Sequence, residues 1–276
     1  MTPPVDEITS PANPRIRSAA ALRDRRERER TGLTIVDGAR ELRRALDAGV
    51  TVMEAFVCDP MLAGPDARAA LDGLNAADAV PVHHVSETAF AKLAFGDRAE
   101  GLVAVIRPPS MALADLELPP DALIVVLEGV EKPGNVGAVL RSADGAGADA
   151  VIAASPRTDL ANPNVIRASA GTLFTVPMAA APSADVRGWL RDRDMRVLAA
   201  RVDGARRYTD TDLTGNVALI LGAEDLGLTG AWAGDDVEAI SVPMHGVADS
   251  LNVSVTAAVL LYEARRQRDR HAGAAD

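Results

Sequence analysis

A β-type run, a glycine-bearing loop and a long amphipathic helix follow one another between Val242 and Arg268, and this junction constrains the fold most strongly. The run breaks at Pro243, and Ser250 stands where a helix N-cap is expected. The helix carries one apolar stripe, which consists of Val253, Ala257, Leu260, Leu261 and Ala264. Such a junction brings backbone amides and small polar groups together, which is typical of a ligand site in an α/β protein.

The rest of the chain alternates short apolar runs with amphipathic segments, which predicts an α/β fold in two domains. We expect a small N-terminal domain over residues 1–107, which opens with a loose arm to about residue 14 and a charged helix over 15–30. Residues 108–121 contain four prolines and no periodic pattern, so they are predicted to be a linker. Continuous apolar runs in residues 122–270 predict a second domain with a buried parallel sheet.

Composition limits the class of protein. Of 276 residues 48% are hydrophobic and one is a cysteine, Cys58, which predicts a globular cytoplasmic protein without a disulfide framework. No apolar run approaches the 18 or so residues that a membrane span needs, so no membrane association is expected. His83 and His84 have no cysteine or acidic partner at ligand spacing, and no metal is expected.

The net charge of −10 argues against attraction of nucleic acid to the whole surface. Its distribution is uneven, because the stretch from Arg15 to Arg44 holds ten arginines and five acidic residues. A solvated helix with alternating charges and an RNA-binding face both explain this stretch, and the sequence alone leaves the two interpretations open.

Three glycine-bearing loops follow strands of the second domain, where parallel sheets form ligand crevices. The first contains Gly129, Gly134 and Gly137 in the spacing G-x4-G-x2-G, which differs from the dinucleotide-binding fingerprint. No Lys-Ser or Lys-Thr pair of a phosphate-binding loop follows it. The match to a class I methyltransferase, with a glycine-rich loop after its first strand, is equally poor.

In order and spacing, the three loops resemble the motifs of the SpoU (TrmH-type) RNA ribose 2′-O-methyltransferases of the SPOUT class. The matching positions are Asn135, Gly137 and Arg141, then Gly222, Glu224 and Gly227, then Pro243, Met244, Gly246 and Ser250 to Ser254. The resemblance covers residues 122–268. It extends more weakly into the first domain, and it is nearest to rRNA enzymes such as the thiostrepton-resistance methyltransferases.

The resemblance implies a trefoil knot in the C-terminal parallel-sheet domain. The small α/β domain before it would bind RNA, as kink-turn-binding ribosomal proteins do. It also implies an obligate homodimer and S-adenosylmethionine as cofactor. The residues expected to hold the cofactor, largely through main-chain groups, are Leu221, Gly222, Val242, Met244 and Leu251.

The catalytic residues implied by the resemblance are Arg141, Asn135, Glu224, Ser250 and Asn252, and those implied or expected to contact RNA are Arg15, Arg40 and Arg167. Arg141 could remove the hydroxyl proton or anchor a phosphate beside the ribose. A guanidinium stays protonated in water and is therefore a poor base, so anchoring is favoured. Asn135 and Ser250 could instead be helix N-caps, and Arg167 could be an ordinary solvent-exposed arginine on a helix.

The predicted function is S-adenosylmethionine-dependent methylation of a ribose 2′-hydroxyl in RNA, with 23S rRNA favoured. A tRNA ribose 2′-O-methyltransferase is the alternative within the class, but such enzymes more often lack the N-terminal domain. A catalytically silent RNA-binding member of the family is the other alternative. The polar motif positions are all filled, which argues against it.

Overall fold

A computed structural model describes residues 7–77, 80–95, 100–223 and 225–272. The chain separates into two compact units. The first contains the described residues up to Pro109 together with Asp159–Thr175, and the second contains Ser110–Thr158 and the described residues from Val176 onward. No helix within these described ranges is long and apolar enough to span a bilayer.

The elements before Ser110 are α1 (Pro14–Ala21), α2 (Arg25–Thr31), β1 (Thr34–Asp37), α3 (Ala39–Asp47), β2 (Val52–Val57), α4 (Gly64–Ala76), β3 (Val82–His84), α5 (Glu87–Leu93) and β4 (Leu102–Ile106). The later elements are β5 (Leu123–Glu128), α6 (Pro133–Ala146), β6 (Ala150–Ala154), α7 (Pro163–Ala168), β7 (Met178–Ala181), α8 (Ser183–Arg191), β8 (Arg196–Ala200), β9 (Arg206–Arg207), β10 (Val217–Leu221), β11 (Val237–Ser241) and α9 (Val253–Ala272).

The sheet of the first unit has the strand order β1-β4-β2-β3. β4 runs antiparallel to β1 and β2, whereas β2 and β3 are parallel. The arm expected to be loose over residues 1–14 is attached in its described part. The Ile8 amide donates to the His84 carbonyl at 2.9 Å, and the Ser86 amide donates to the Ile8 carbonyl at 3.1 Å.

The charged helix predicted over residues 15–30 is two helices, α1 and α2. Asp24 ends the continuity because its side chain accepts a hydrogen bond from the Arg26 amide and so caps α2. The buried face of α1 carries Ile16 and Ala19, and Gly32 ends α2 in the left-handed conformation.

Segment 159–175 packs with the first unit, which the sequence did not lead us to expect. The nearly buried Arg28 guanidinium contacts the Asp159 carboxylate at 2.6 Å. Thr34 donates from its hydroxyl to the Ala161 carbonyl at 2.6 Å, and α7 lies against β1. These contacts are long-range in sequence, so no local periodicity signals them.

The second unit has a parallel sheet in the order β7-β6-β5-β10-β8-β11-β9. Every residue of β5 and β10 is buried, as the continuous apolar runs predict. Parallel strands end at the same edge, so the loops after β8, β10 and β11 emerge together.

Helix α9 packs against α6 and buries the apolar stripe predicted from the sequence. Its N-cap is Asn252 and not Ser250, because the Asn252 carboxamide oxygen accepts from the Ser254 amide at 2.9 Å. Near the other end, Arg265 donates to the Ala146 carbonyl at 2.8 Å, which satisfies a carbonyl at the C-terminus of α6.

Candidate active site

A cleft of about 620 Å³ lies at the carboxyl ends of β8, β10 and β11, in the second unit. Its walls are the loops that follow these strands and the start of α9. Volumes of roughly 300–1,000 Å³ are usual for small-molecule sites. The five residues predicted to hold the cofactor all line it: Leu221, Gly222, Val242, Met244 and Leu251. The structure therefore brings the second and third sequence motifs together at one cleft.

The loop after β10 folds back on itself at the cleft wall. A Cβ atom on Gly222 would lie 2.3 Å from the Gly227 carbonyl carbon, which no side chain can tolerate. The Gly227 amide donates to the Ala223 carbonyl at 3.0 Å, and Gly227 itself has φ of +63°. Two glycines five residues apart therefore make this turn sterically accessible.

The charged residues of the cleft are mainly acidic in the described part of the chain: Asp203, Asp225 and Asp249 line it with a single arginine, Arg201. Arg201 contacts the Asp203 carboxylate through two nitrogen atoms, both at 2.8 Å. This hydrogen bonding holds the pKa of the Asp203 carboxyl below its ordinary value. The loop after β8 that carries this pair was missed in the sequence, because it has no glycine-bearing motif of the kind found in the other two loops.

Two helix starts meet beside the cleft. The Asn252 carboxamide nitrogen lies 3.4 Å from the Asn135 carboxamide oxygen, which links the N-cap of α9 to the first turn of α6. Asn135 is not the N-cap of α6, since Lys132 occupies that position. The N-termini of helices with 14 and 20 residues both carry partial positive charge, which favours a bound anion.

The remaining predicted catalytic residues occupy different places. Ser250 lines the cleft and is exposed, in the loop before the cap of α9. Arg141 is exposed on α6, does not line the cleft, and makes no side-chain hydrogen bond or salt bridge with any described residue. At 1.5 Å per residue it lies about 9 Å along the helix axis from Asn135. Glu224 lies outside the described residues.

The residues predicted to contact RNA are all in the first unit, and each has an acidic neighbour. Arg15 contacts the Glu54 carboxylate at 3.2 Å, and Arg40 approaches the Glu41 carboxylate at 3.9 Å. Arg167, on α7, lies 3.5 Å from the Asp37 carboxylate, and its side chain is 21% exposed. Pairing reduces the charge that these three residues present to a phosphate.

Arg17 and Arg26 differ from these three residues in their surroundings and were not singled out in the sequence. Both are exposed, and neither side chain forms a hydrogen bond or salt bridge with the described residues. Others in the same arginine-rich stretch are structural. Arg23 donates to the Lys92, Leu93 and Ala94 carbonyls at the end of α5, and Arg28 is buried. The two groups differ in whether the arginine side chain has a hydrogen-bond or salt-bridge partner, and the sequence does not show this.

Both histidines of β3 have carboxylate partners. His84 Nδ1 lies 2.7 Å from Asp59 Oδ2, and His83 Nε2 lies 3.2 Å from Glu54 Oε2. Among the residues that the structure covers, no group of three or more His, Cys, Asp or Glu is arranged to hold a metal ion.

Two family models match different parts of the chain. Residues 122–262 match the SpoU rRNA Methylase family, and residues 13–104 match the MRM3-like substrate binding domain. The first match contains the motif residues of the cleft and of α6. The second contains α1 and α2, with Arg17 and Arg26.

Individual proteins match over nearly the whole chain. A 23S rRNA (uridine(2479)-2′-O)-methyltransferase of Streptomyces viridochromogenes is 31% identical, over 97% of this chain and 94% of that protein. A crystal structure of an RNA 2′-O ribose methyltransferase has a TM-score of 0.83 and 41% identity, covering 95% of this chain and 99% of that one. An AdoMet-bound rRNA methyltransferase from Sinorhizobium meliloti has a TM-score of 0.85 and 28% identity, covering 95% and 98%. With its three motifs, its cleft and these matches, the chain belongs to the SpoU rRNA Methylase family.

Proposed function

We propose that this protein is an S-adenosylmethionine-dependent methyltransferase that methylates a ribose 2′-hydroxyl in 23S rRNA. The observation that carries the proposal is the convergence of the second and third motifs on one cleft, beside two helix starts that favour an RNA phosphate. Relatives named as 23S rRNA 2′-O-methyltransferases match over almost the full chain, with 31% identity in one case.

The lining of the cleft suits S-adenosylmethionine in polarity and charge. Its lining combines apolar side chains such as Leu221 and Val242 with the main chain of the loop in which Gly222 and Gly227 approach each other closely. The ligand carries a sulfonium and an ammonium group against one carboxylate, so its net charge is positive. A lining that holds three aspartates and one arginine among the described residues complements that charge.

When bound, S-adenosylmethionine supplies an electrophilic methyl group. The protein's own contribution is to position the ribose in line with it, and positioning of this kind is worth about 7–11 kcal/mol. Asn252 caps α9 and also contacts Asn135 in the first turn of α6, which links the two helix starts. Arg141, exposed and unpaired among the described residues, anchors a phosphate beside the target ribose and lowers the cost of the developing alkoxide.

The first unit recruits the RNA. Its match to a substrate-binding domain supports this role, as do Arg17 and Arg26, which are exposed and unpaired among the described residues. The presence of a full additional unit favours rRNA over tRNA as the substrate. The place of action is the cytoplasm, where ribosomal RNA and the cofactor are both available.

The active form is a homodimer. Val255 and Tyr262 lie two helical turns apart on α9, outside its buried stripe. They are 47% and 54% exposed in the single chain. Isologous contact between two such helices would remove these apolar side chains from water.

Methyl transfer to defined RNA classes tests the proposed function. Purified protein is incubated with radiolabelled S-adenosylmethionine and unmodified 23S rRNA, 16S rRNA or tRNA, and the products are digested to nucleosides. We expect label in a 2′-O-methylated nucleoside from 23S rRNA. Label confined to tRNA supports the alternative substrate, and cofactor binding without transfer to any RNA supports a silent member of the family.

A further inference from the structure

Glu128, the last residue of β5, has a buried carboxyl group that the proposed chemistry does not use. Its residue is 2% exposed, and no described Arg, Lys or His forms a salt bridge with it. Three donors surround it instead. The Thr229 amide donates to Oε2 at 2.7 Å, and the Thr229 and Ser183 hydroxyls donate to Oε1 at 2.8 and 2.9 Å. Burying such a group is costly unless its hydrogen bonds are made.

Thr229 connects this carboxyl group to the cleft. It lines the cleft together with its neighbours Leu228 and Gly230. Its hydroxyl oxygen also accepts from the Ala231 amide at 3.2 Å and so caps the short turn Gly230–Trp232. We call residues 227–229 the Thr229 segment. Glu128 holds this segment at Thr229, and the close approach of Gly227 to Gly222 holds it at its other end.

Ser183 connects the same carboxyl group to a different part of the unit. It is the first residue of α8, and its amide donates to the Ser155 hydroxyl at 3.0 Å. Neither Ser183 nor Ser155 lines the cleft. Glu128 thus has one partner on the cleft wall and one remote from it, which allows its effect on the cleft to be separated from its effect on stability.

We propose that Glu128 is a positioning residue for cofactor binding, which acts by holding the Thr229 segment in the conformation that completes the cleft. The inference rests on the proposed function, in which this cleft takes S-adenosylmethionine. A segment that is already ordered pays no ordering cost on binding. If the segment is released, only a fraction of the molecules is competent, and the apparent Kd rises by the inverse of that fraction.

Glu128→Gln and Thr229→Val test this by calorimetry of S-adenosylmethionine binding. The glutamine amide offers one acceptor oxygen to three donors, and valine removes the hydroxyl while keeping the shape of threonine. We expect both variants to weaken cofactor binding by roughly tenfold or more. Turnover at saturating cofactor should stay within a few-fold of the wild type, so the loss appears in KM. Thr229→Ser, which keeps the hydroxyl, should restore binding.

Ser183→Ala is the matched control, because it removes a donor to the same oxygen on the side away from the cleft. It should lower the melting temperature but leave the cofactor Kd within twofold. Wild-type affinity in Thr229→Val would overturn the inference, as would an equal loss in Ser183→Ala, even if Glu128→Gln fails to fold. A wild-type protein that does not bind S-adenosylmethionine would instead overturn the proposed function on which the inference rests.

Discussion

At the scale of single residues, Asn252 links the stability of a helix to the geometry of the candidate active site. Its carboxamide oxygen caps α9 through the Ser254 amide at 2.9 Å, while its nitrogen faces Asn135 at 3.4 Å. The two functions use different atoms of one side chain. Substitutions that keep the oxygen and remove the nitrogen therefore separate them.

Asn252→Ala should lose both contacts and Asn252→Asp only the contact with Asn135. We expect Asn252→Ala to cost about 1 kcal/mol of unfolding free energy through the lost cap, which Asn252→Asp retains. Both should slow single-turnover methyl transfer. Thermal unfolding and transfer kinetics measured together check this, and an Asn252→Asp protein as fast as the wild type would show that the link to Asn135 is dispensable.

Arg141 should matter for transfer and not for cofactor binding, because it lies on α6 outside the cleft lining. Arg141→Ala is expected to leave the S-adenosylmethionine Kd within a few-fold and to slow transfer by at least about 10²-fold, the scale for losing one preorganised charge. Calorimetry and single-turnover kinetics measure the two quantities.

Arg141→Lys serves as the matched variant. If lysine restores little transfer activity, bidentate hydrogen bonding to phosphate matters. If lysine restores full activity, the positive charge alone suffices. Loss of cofactor binding in Arg141→Ala would make the residue structural and contradict its proposed role.

At the scale of elements, the sequence predicted strands and helices well wherever burial is uniform along them. The runs that became β5 and β10 and the stripe of α9 are confirmed. These elements could be predicted because their signals are local, in periodicity and continuous apolar stretches.

Two features of the elements could not be predicted from the sequence. Asp24 divides the charged helix because its own cap competes with helix continuation, which a count of charges does not reveal. Segment 159–175 joins the first unit through Arg28–Asp159 and Thr34–Ala161, pairs more than 100 residues apart. Within the site, the motif loops were predicted by resemblance, but the loop with Arg201 and Asp203 carries no motif.

Helices α1 and α2 contain the two arginines that we predict to contact RNA. The double substitution Arg17→Ala and Arg26→Ala should weaken RNA binding, and the salt slope should fall by about 0.7–0.9 for each lost phosphate contact. Filter binding at several salt concentrations measures this. Arg191→Ala, an exposed arginine on α8, is the control. Equal losses in the control and the double variant would contradict a specific role for α1 and α2.

At the scale of the whole molecule, two compact units share one chain that leaves the second unit at Thr158 and returns to it at Val176. Deleting residues 1–107 would remove the partners of segment 159–175, including Arg28 and Thr34. Point substitutions are therefore cleaner than truncation for testing the first unit. The trefoil knot implied by the family resemblance stays a prediction.

The proposed homodimer gives a prediction at the same scale. In sedimentation at micromolar concentration, the protein should have about twice the 28.8 kDa mass of one chain. Val255→Glu with Tyr262→Glu should produce monomers, because charge is placed on an apolar face buried by the partner. Met53→Glu, at a 39% exposed apolar position of the first unit, should leave the dimer intact. A monomeric wild type would refute the proposal.

Mapping of ribose methylation in total RNA from cells with and without the gene tests the central claim most directly. We predict that deletion removes 2′-O-methylation at a defined position in 23S rRNA. The wild-type gene should restore it, and the Arg141→Ala gene should not. Unchanged ribose methylation of 23S rRNA after deletion, or a loss confined to tRNA or to a methylated base, would contradict the account.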